Sequence, residues 1–286
     1  MGISLKEVSY SYNPKRKGTK YALKNVSLEI NERDEMIAII GESGSGKSTL
    51  VSLFNALKIP TLGEANVMGI TIKKIRKRKE NYNSIRKHVG LVFQFSDYQL
   101  FEETVLNDVM FAPMNFGYKK EEAKEIAIKA LNLVGIDESF YDKSPFQLSG
   151  GEKKIVSIAG ILAMEPDILV FDEPTAGLDP ETKKKMIELF RVLNRDLHKT
   201  VVFITHDMNI VMEYAKRVIV VADRTIKYDG TKEELFLNHL DIVKDAHIDY
   251  PDTFIISKMI NEKLNKNINQ LLESKEELLE ELLKDE

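Results

Sequence analysis

A short apolar run that leads into a glycine-rich loop and then Lys-Ser-Thr constrains the fold of this chain more than any other stretch. The apolar run covers residues 37–40, the loop covers residues 41–46, and a helical pattern begins at Lys47. The stretch fits the pattern G-x-x-x-x-G-K-[ST], which binds phosphate where a buried strand turns into a helix. A plain Gly/Ser connector is the alternative, and the position of Lys47-Ser48 argues against it. The sequence therefore predicts a phosphate-binding loop.

The residues of this loop differ in their expected roles. Glycines let successive backbone N–H groups turn inward around a phosphate, beside the positive end of the helix dipole. Lys47 would reach the β- and γ-phosphates of a nucleotide, and the Ser48 hydroxyl would bind Mg²⁺. The predicted nucleotide-binding residues of the loop are Gly41, Glu42, Ser43, Gly44, Ser45, Gly46, Lys47, Ser48 and Thr49.

Composition excludes several other kinds of site. The 286 residues give room for one large α/β domain and a smaller appendage. Without Cys the chain can form neither disulfides nor thiolate metal sites, and its five His make no close metal-ligand pair. The net charge of -4 is not that of a general nucleic-acid binder. We expect no signal peptide and no membrane span, because no run of roughly 18 apolar residues occurs.

The sequence before the loop predicts two antiparallel strands, over residues 3–12 and 22–30, with a basic loop between them. Tyr12 lies just before that basic loop. Its ring could stack on a nucleobase or pack as an ordinary strand tyrosine, and the residues alone leave both open. A second basic run, residues 71–79, is expected to be a solvated loop.

Later apolar runs end in polar side chains. The runs cover residues 89–93, 167–171 and 201–205. The polar residues that follow them are Gln94, Asp172, Glu173 and His206. Because ligands bind at the carboxyl edge of parallel strands, Asp172 would hold Mg²⁺ through water and Glu173 would polarise an attacking water. Solvated carboxylates and a structural His are the alternative, which the convergence of these strand ends on a phosphate site disfavours.

Helical patterns occupy much of the remaining sequence. One amphipathic helix is predicted over residues 123–134, and another apolar stretch, residues 155–164, follows Ser-Gly-Gly-Glu at 149–152. Ser-Gly-Gly before a helix is by itself a weak N-cap signal. A helix over residues 181–197 is also expected.

The composition changes beyond Asn238. Residues 242–260 have helical spacing that is broken at Pro251. Leucine pairs with acids between them then predict an amphipathic helix over residues 271–283. Its leucine face could dock on its own domain or on a partner, and the spacing cannot choose. The predicted face consists of Leu271, Leu272, Leu278, Leu279, Leu282 and Leu283.

Taken in order, these motifs resemble those of the ATP-binding cassette (ABC) ATPases. A Ser-Gly-Gly signature just before the strand of Asp172, with a His after the next strand, is the specific mark of that family. The resemblance implies an α/β P-loop fold with a RecA-like core sheet, an antiparallel β subdomain and an inserted helical subdomain. The implied limits are residues 1–240 for the ATP-binding domain, about 96–165 for the helical subdomain, and 241–286 for a helical C-terminal extension.

The family resemblance also implies roles for individual residues. Two cassettes of that family pair head to tail, with each ATP between the phosphate loop of one and the signature of the other. The implied ligands are therefore ATP and Mg²⁺, with Tyr12 stacked on adenine. Mg²⁺ would be organised by Ser48, Gln94 and Asp172. The implied catalytic residues are Gln94, Glu173 as general base and His206 as γ-phosphate sensor. The residues that would complete the partner's site are Ser149, Gly150, Gly151 and Glu152.

A finer resemblance is to the ATPases of energy-coupling factor (ECF) importers of vitamins and metals. It is carried by residues 89–105, by residues 112–117 and by the tail past residue 240. The signature departs from the family at two positions. Glu152 replaces the usual Gln and Ile155 replaces a common Arg, so this signature is expected to contribute less to hydrolysis than that of its partner.

The ECF resemblance implies an ATPase at the cytoplasmic face of the membrane as a peripheral subunit. Its implied partners are a second ABC ATPase, a transmembrane coupling subunit near Gln94 and a substrate-binding membrane subunit that selects the solute. The ATPase pair would be a heterodimer with a paralogue, or a homodimer, and no nucleic acid is expected. The tail would be the dimerisation element.

Other functions of ABC proteins are less consistent with the sequence. The ATPase of another ABC importer is the nearest alternative. A soluble ABC protein acting on DNA would carry a long coiled coil between loop and signature, and one acting on ribosomes would carry two cassettes. A scaffold that does not hydrolyse ATP is disfavoured by the presence of Glu173 and His206.

Overall fold

The computed structural model describes residues 2–16, 18–72, 82–264, 268 and 270–283. Its strands are β1 (Ile3–Tyr10), β2 (Leu23–Ile30), β3 (Met36–Ile40), β4 (Leu62–Val67), β5 (Ile70–Ile72), β6 (Val89–Val92), β7 (Ile168–Asp172), β8 (Thr200–Ile204), β9 (Arg217–Ala222) and β10 (Thr225–Gly230). Its α-helices are α1 (Lys47–Phe54), α2 (Asn83–His88), α3 (Val105–Asn115), α4 (Lys120–Leu133), α5 (Gly150–Leu162), α6 (Pro180–Arg191), α7 (Met208–Tyr214), α8 (Lys232–Asn238), α9 (Leu240–Asp245), α10 (Asp252–Leu264) and α11 (Lys275–Leu283).

Two sheets organise the described part of the chain. An antiparallel sheet has the order β2-β1-β4-β5, and its β1–β2 pairing confirms the predicted N-terminal strand pair. The other sheet has the order β10-β9-β3-β8-β7-β6, parallel except for the β9–β10 hairpin. The carboxyl ends of β3, β8 and β7 therefore lie side by side at one edge. This architecture confirms the predicted α/β fold class.

The side chains of β3 alternate between two apolar cores. Ile37 and Ile39 pack with the antiparallel sheet and α1. Ala38 and Ile40 pack with side chains of α3, α5 and α6. A parallel sheet that is covered on both faces requires apolar residues at every position of its central strands. This explains why the sequence before the phosphate loop is a continuous apolar run rather than an alternating one.

The chain between β6 and β7 is mainly helical. Helices α3, α4 and α5 pack on one another, and the predicted 123–134 helix lies within α4. Helix α5 begins at Gly150 with Ser149 as its N-cap, so it starts earlier than the apolar stretch from residue 155. The limits of the helical subdomain stay a prediction. None of the helices in the described residues has the length and apolar character that a bilayer crossing requires.

The predicted helix over residues 181–197 changes its form near its end. The α-helical part stops at Arg191, and Val192–Asp196 form a π-helical turn. Within that turn the buried Asn194 amide donates to the carbonyls of Glu35, at 3.1 Å, and Lys199, at 2.9 Å. The turn thus ties the end of α6 to the starts of β3 and β8, which local sequence spacing does not reveal.

The predicted basic loop over residues 71–79 is partly wrong. Thr71 and Ile72 belong to β5, and Ile72 is buried against the antiparallel sheet. Residues 73–79 lie outside the described residues. The basic character of the run therefore hid the end of a strand.

Helix α10 is fastened at its start to the preceding and following parts of the chain. The Asp252 N–H donates to Asn209 Oδ1 at 3.0 Å, and Asn209 Nδ2 donates to Asp252 Oδ2 at 3.1 Å. The buried Thr253 hydroxyl donates to the carbonyl of Leu272 at 2.7 Å. These contacts join α10 to α7 on one side and to the segment before α11 on the other.

The prediction of one leucine-faced helix over residues 271–283 is wrong at its start, and the packing of its leucines, which the spacing left open, is partly on the chain itself. Helix α11 begins only at Lys275, because the preceding segment is extended along α10. Leu272 and Leu278 are buried within the chain itself. Leu279 and Leu283 are exposed, at 60% and 65%. The tail therefore packs on its own domain and leaves only part of its apolar surface for a partner.

We predict that Phe190→Ala destabilises the fold by about 3–5 kcal/mol, because it empties the centre of an aromatic cluster. The Phe190 ring lies 4.6 Å from that of Phe171 and 5.7 Å from that of Phe203 between centroids. Urea unfolding followed by circular dichroism measures the loss. The matched control is Phe146→Ala, at a ring that is 71% exposed. Its stability should change by less than about 0.5 kcal/mol, and equal losses for both variants would contradict the prediction.

Candidate nucleotide-binding site

The loop between β3 and α1 has a backbone that only glycine can follow. Gly41 and Gly46 have φ values of 143° and 115°. A Cβ atom at Gly41 would lie 2.1 Å from the carbonyl oxygen of Val221, and one at Gly46 would lie 2.8 Å from that of Ala22. Both glycines therefore meet a steric and a conformational requirement. The predicted strand, loop and helix are all present at this position.

Lys47 places an ammonium group inside this loop. Its Nζ donates to the carbonyl oxygens of Gly41, at 2.7 Å, and Glu42, at 2.8 Å. Burial lowers the pKa of Lys47, and the charges of Glu173 and Asp172 oppose that shift. A cation that is short of water and held only by carbonyl oxygens is available to a phosphate.

Ser48 and Asp172 meet at the start of α1 and the end of β7. Burial raises the pKa of the Asp172 carboxyl, whereas a hydrogen bond with the Ser48 side chain and the charge of Lys47 lower it. A carboxylate beside a hydroxyl supplies the oxygen ligands that Mg²⁺ prefers, so these residues fit that ion. Gln94, the third predicted ligand, lies two residues beyond β6 with an exposed side chain, and the described contacts do not join it to this pair.

Glu173 and His206 are brought together at the ends of β7 and β8. His206 Nε2 lies 3.2 Å from Glu173 Oε1. The approach lacks hydrogen-bond geometry, so Oε1 is buried with no hydrogen-bond partner in the described part of the chain. Burial raises the pKa of the Glu173 carboxyl and Asp172 raises it further, while burial and Lys47 lower the pKa of His206. These shifts make the Glu173 carboxylate a stronger base and favour the neutral form of the His206 ring.

The backbone of Glu173 is in the left-handed region, with φ at 52°. For a residue other than glycine this conformation costs roughly 1–3 kcal/mol and persists only where neighbours hold it. The Glu173 N–H donates to the carbonyl of Ile204 at 3.1 Å, and its carbonyl accepts from the Ala176 N–H at 3.3 Å. The same carbonyl accepts from Lys154 Nζ at 3.2 Å.

Lys154 is a site residue that sequence reasoning missed. It is only 4% exposed and projects from α5 toward the segment after Glu173. A lysine in an amphipathic helix usually lies on the solvated face, and no local signal marks this one as buried. Only the packing of α5 against the end of β7 reveals its position.

Tyr12 presents an aromatic face beside the phosphate loop. Its hydroxyl is 3.0 Å from Thr49 Oγ1 on α1, and its ring stands edge-on to Tyr10 at 5.1 Å. Lys58 Nζ lies 5.3 Å from the ring centroid. The ring is 60% exposed although its hydroxyl is anchored. An anchored but open ring suits stacking on a base better than core packing.

The signature residues form the first turn of α5. Ser149 Oγ accepts from the Glu152 N–H at 3.3 Å, and Glu152 Oε2 accepts from the Ser149 N–H at 2.7 Å. This reciprocal capping box lowers the pKa of Glu152. Glu152 is thus accommodated where the family usually has Gln, and Ile155 is accommodated as a buried core residue. Within the described chain, no contact joins residues 149–152 to the phosphate loop.

The remaining loop residues differ in exposure. Glu42 and Ser43 are exposed, and Glu42 Oε2 lies 3.6 Å from Nδ1 of His247 in the C-terminal extension. Ser45 Oγ is buried without a hydrogen-bond partner among the described residues. Of the predicted site residues, those that the fold gathers into one group are Lys47, Ser48, Asp172, Glu173 and His206.

Comparison with known proteins shows which family this chain belongs to. A family model described as ABC transporter matches residues 23–176, and one described as AAA domain, putative AbiEii toxin, Type IV TA system, matches residues 141–213. The energy-coupling factor transporter ATP-binding protein EcfA2 of Ligilactobacillus salivarius is 47% identical over 253 residues, which cover 88% of this chain and 86% of the relative. The protein of the same name from Bacillus licheniformis is 42% identical over 92% of this chain and 90% of the relative.

Solved structures agree with these relatives. The dimeric, ADP- and Pi-bound ATP-binding cassette MJ0796 superposes with a TM-score of 0.70 at 35% identity, over 80% of this chain and 98% of that one. CbiO1 from Clostridium perfringens, part of the ABC transporter complex cbiONQ, superposes with a TM-score of 0.72 at 33% identity, over 92% and 95% of the two chains. The chain therefore belongs to the ABC transporter family and, within it, to the ATP-binding proteins of energy-coupling factor transporters.

Proposed function

We propose that this chain is the ATP-hydrolysing subunit that powers an ECF-type importer of vitamins, other micronutrients or metal ions. The observation that carries this proposal is the group of Lys47, Asp172, Glu173 and His206 at one edge of the sheet, in which Lys47 and Asp172 are buried. Family membership gives ATP as the nucleotide and ATP hydrolysis coupled to transport as the activity. The strand ends of the parallel sheet supply an ammonium group, two carboxylates and an imidazole for this reaction.

Binding begins at the phosphate loop and at Tyr12. Lys47 exchanges its two carbonyl partners for phosphate oxygens, which are stronger acceptors for an ammonium group. The loop N–H groups and the positive end of α1 add to this attraction. Tyr12 stacks on adenine, and Lys58 Nζ lies 5.3 Å from the centroid of the same ring.

Mg²⁺ would be held by Ser48, Asp172 and Gln94. When bound, it neutralises charge on the phosphate oxygens. The contact between Ser48 and Asp172 supports this assignment. Gln94 follows β6, the strand next to β7, and its side chain is exposed.

Glu173 is the proposed general base. Its buried Oε1 accepts a proton from the water that attacks the γ-phosphate, and its raised pKa makes it a stronger base than an ordinary carboxylate. His206, whose lowered pKa favours the neutral ring, contacts the γ-phosphate. In the partner's site the Ser149 hydroxyl, the N–H groups of Gly150 and Gly151 and the N-terminus of α5 stabilise charge.

As a member of this family the chain works with other ABC transporter components. The transmembrane coupling subunit docks, in our proposal, on an aromatic patch next to Gln94. Its residues are exposed on the segment after β6 and on α3 although they are apolar, which marks an interaction surface. The patch consists of Phe95, Tyr98, Phe101, Phe111 and Met114. Docking there places the chain at the cytoplasmic face of the membrane, and a separate membrane subunit selects the solute.

A second ABC ATPase completes the proposed assembly. Residues 241–286 form the dimerisation element, and the surface available to it is the exposed apolar part of α10 and α11. Those residues are Ile255, Ile256, Met259, Leu279 and Leu283. Acidic residues between the leucines of α11 repel an identical tail. A paralogue with a less acidic tail is therefore preferred over self-pairing, and nucleic acid has no part in this assembly.

We predict that Glu173→Gln leaves ATP binding near normal but lowers turnover by at least roughly a hundredfold, because an amide cannot accept the proton. ATPase assays on the assembled transporter, with equilibrium binding of a labelled ATP analogue, measure both quantities. The control is Glu165→Gln, which removes an exposed carboxylate three residues after the end of α5. Turnover of Glu173→Gln within a few-fold of wild type would contradict the role of Glu173.

We predict that Lys47→Ala abolishes nucleotide binding at this chain's own loop, since it removes the ammonium group from the loop interior. Equilibrium binding to the full chain tests this. Lys24→Ala, at an exposed lysine on β2, should bind normally. If Lys47→Ala retained wild-type affinity, the loop would be a connector rather than a phosphate site.

We predict that Leu279→Glu combined with Leu283→Glu weakens the nucleotide-free ATPase pair at least roughly tenfold, since two carboxylates would be buried without partners. Co-expression of both ATPases followed by sizing chromatography measures the pairing. The control is Leu57→Glu, which alters an exposed leucine after α1. A stable pair with the double variant would show that the tail is not the dimerisation element.

A further inference from the structure

The buried lysine on α5 donates hydrogen bonds to the main chain of the segment that follows β7, and its charge lowers the pKa of the Glu173 carboxyl. Lys154 Nζ donates to the carbonyl oxygens of Glu173, at 3.2 Å, and Ala176, at 3.5 Å. A buried ammonium group is costly unless hydrogen bonds replace its water. The two carbonyl contacts of Lys154 at this turn replace part of that water.

The turn that Lys154 holds sets the direction of the Glu173 side chain. The left-handed φ of 52° at Glu173 turns the chain sharply where β7 ends. The Cα position and this backbone conformation together bring Oε1 to 3.2 Å from His206 Nε2. A relaxation of the backbone to ordinary φ values would point the carboxylate elsewhere, because the side chain follows its Cα–Cβ bond.

We propose that Lys154 is a positioning residue that fixes Glu173 for catalysis and mechanically links it to the signature. Lys154 lies one turn beyond Ser149 on the same helix, so a displacement of the signature end of α5 is transmitted to the Glu173 carbonyl. The signature of one chain serves the ATP of its partner. Lys154 therefore couples occupancy of the partner's site to the geometry of the base in its own site. This inference rests on the proposed role of Glu173.

Lysine suits this role because its long apolar stem crosses the buried interface while its head reaches two carbonyls. A purely structural lysine would satisfy the same carbonyls and affect only folding stability. Replacing Lys154 distinguishes the two roles. If Lys154 positions the base, its loss lowers kcat and leaves ATP binding unchanged.

The test compares Lys154→Met, Lys154→Arg and wild type in the assembled transporter. We expect Lys154→Met to lower kcat by roughly ten- to hundredfold, the effect of misplacing a catalytic group by about an ångström. KM for ATP and equilibrium binding should change by less than about twofold. Lys154→Arg, which keeps a long cationic donor, should restore most of kcat. Lys153→Met is the matched control on the same helix and should leave kcat within about twofold.

The outcomes separate this inference from the role of Glu173 itself. Unchanged kcat in Lys154→Met, or a fall that Lys154→Arg does not restore and that tracks melting temperature, would overturn it. If Lys154→Met does not fold, Lys154→Gln, a shorter donor, is judged by the same criteria. In the Glu173→Gln background, Lys154→Met should cause no further loss of single-turnover rate, and an additive loss would also overturn the inference. Full turnover by Glu173→Gln alone would instead remove the proposed base.

Discussion

Burial of the parallel sheet on both faces is the constraint on which the rest of this molecule depends. Because β3, β7 and β8 are covered by two apolar cores, they run side by side and end at one edge. Polar residues can follow these strands only where the cores stop. The phosphate loop, the acids at the end of β7 and the His after β8 are therefore brought together by the arrangement of the strands.

That volume is short of water, and its electrostatics follow from this. Burial is the largest cause of the pKa shifts of Lys47, Asp172, Glu173 and His206 alike. The charge of Lys47 partly offsets the pKa shifts of both carboxyls, whereas Asp172 adds to the shift of Glu173 and Lys47 adds to that of His206. In the described part of the chain, Glu173 Oε1 is buried with no hydrogen-bond partner. Polar groups that a fold leaves unsatisfied in this way are typical of functional sites.

The sequence predicts the parts of this site that local rules encode. An apolar run, a glycine loop and a helix pattern specify β3, the loop and α1, and strand-end polar residues specify where Asp172, Glu173 and His206 lie. Lys154 escapes prediction, because burial of a helical lysine depends on which face packs against β7. The tail is misjudged for a related reason: periodicity shows that Leu272 and Leu278 are apolar but not that α10 covers them. Strand β5 was hidden by the charges beside it.

The paired hydrogen bonds between Asn209 and Asp252 have a mechanical consequence. Asn209 lies at the start of α7, directly after the strand end that carries His206, and Asp252 begins α10. The extension is thereby hinged to the catalytic edge at a point only one helical turn from the imidazole. A displacement of the start of α10 would therefore act directly on Asn209 at the start of α7, three residues after His206.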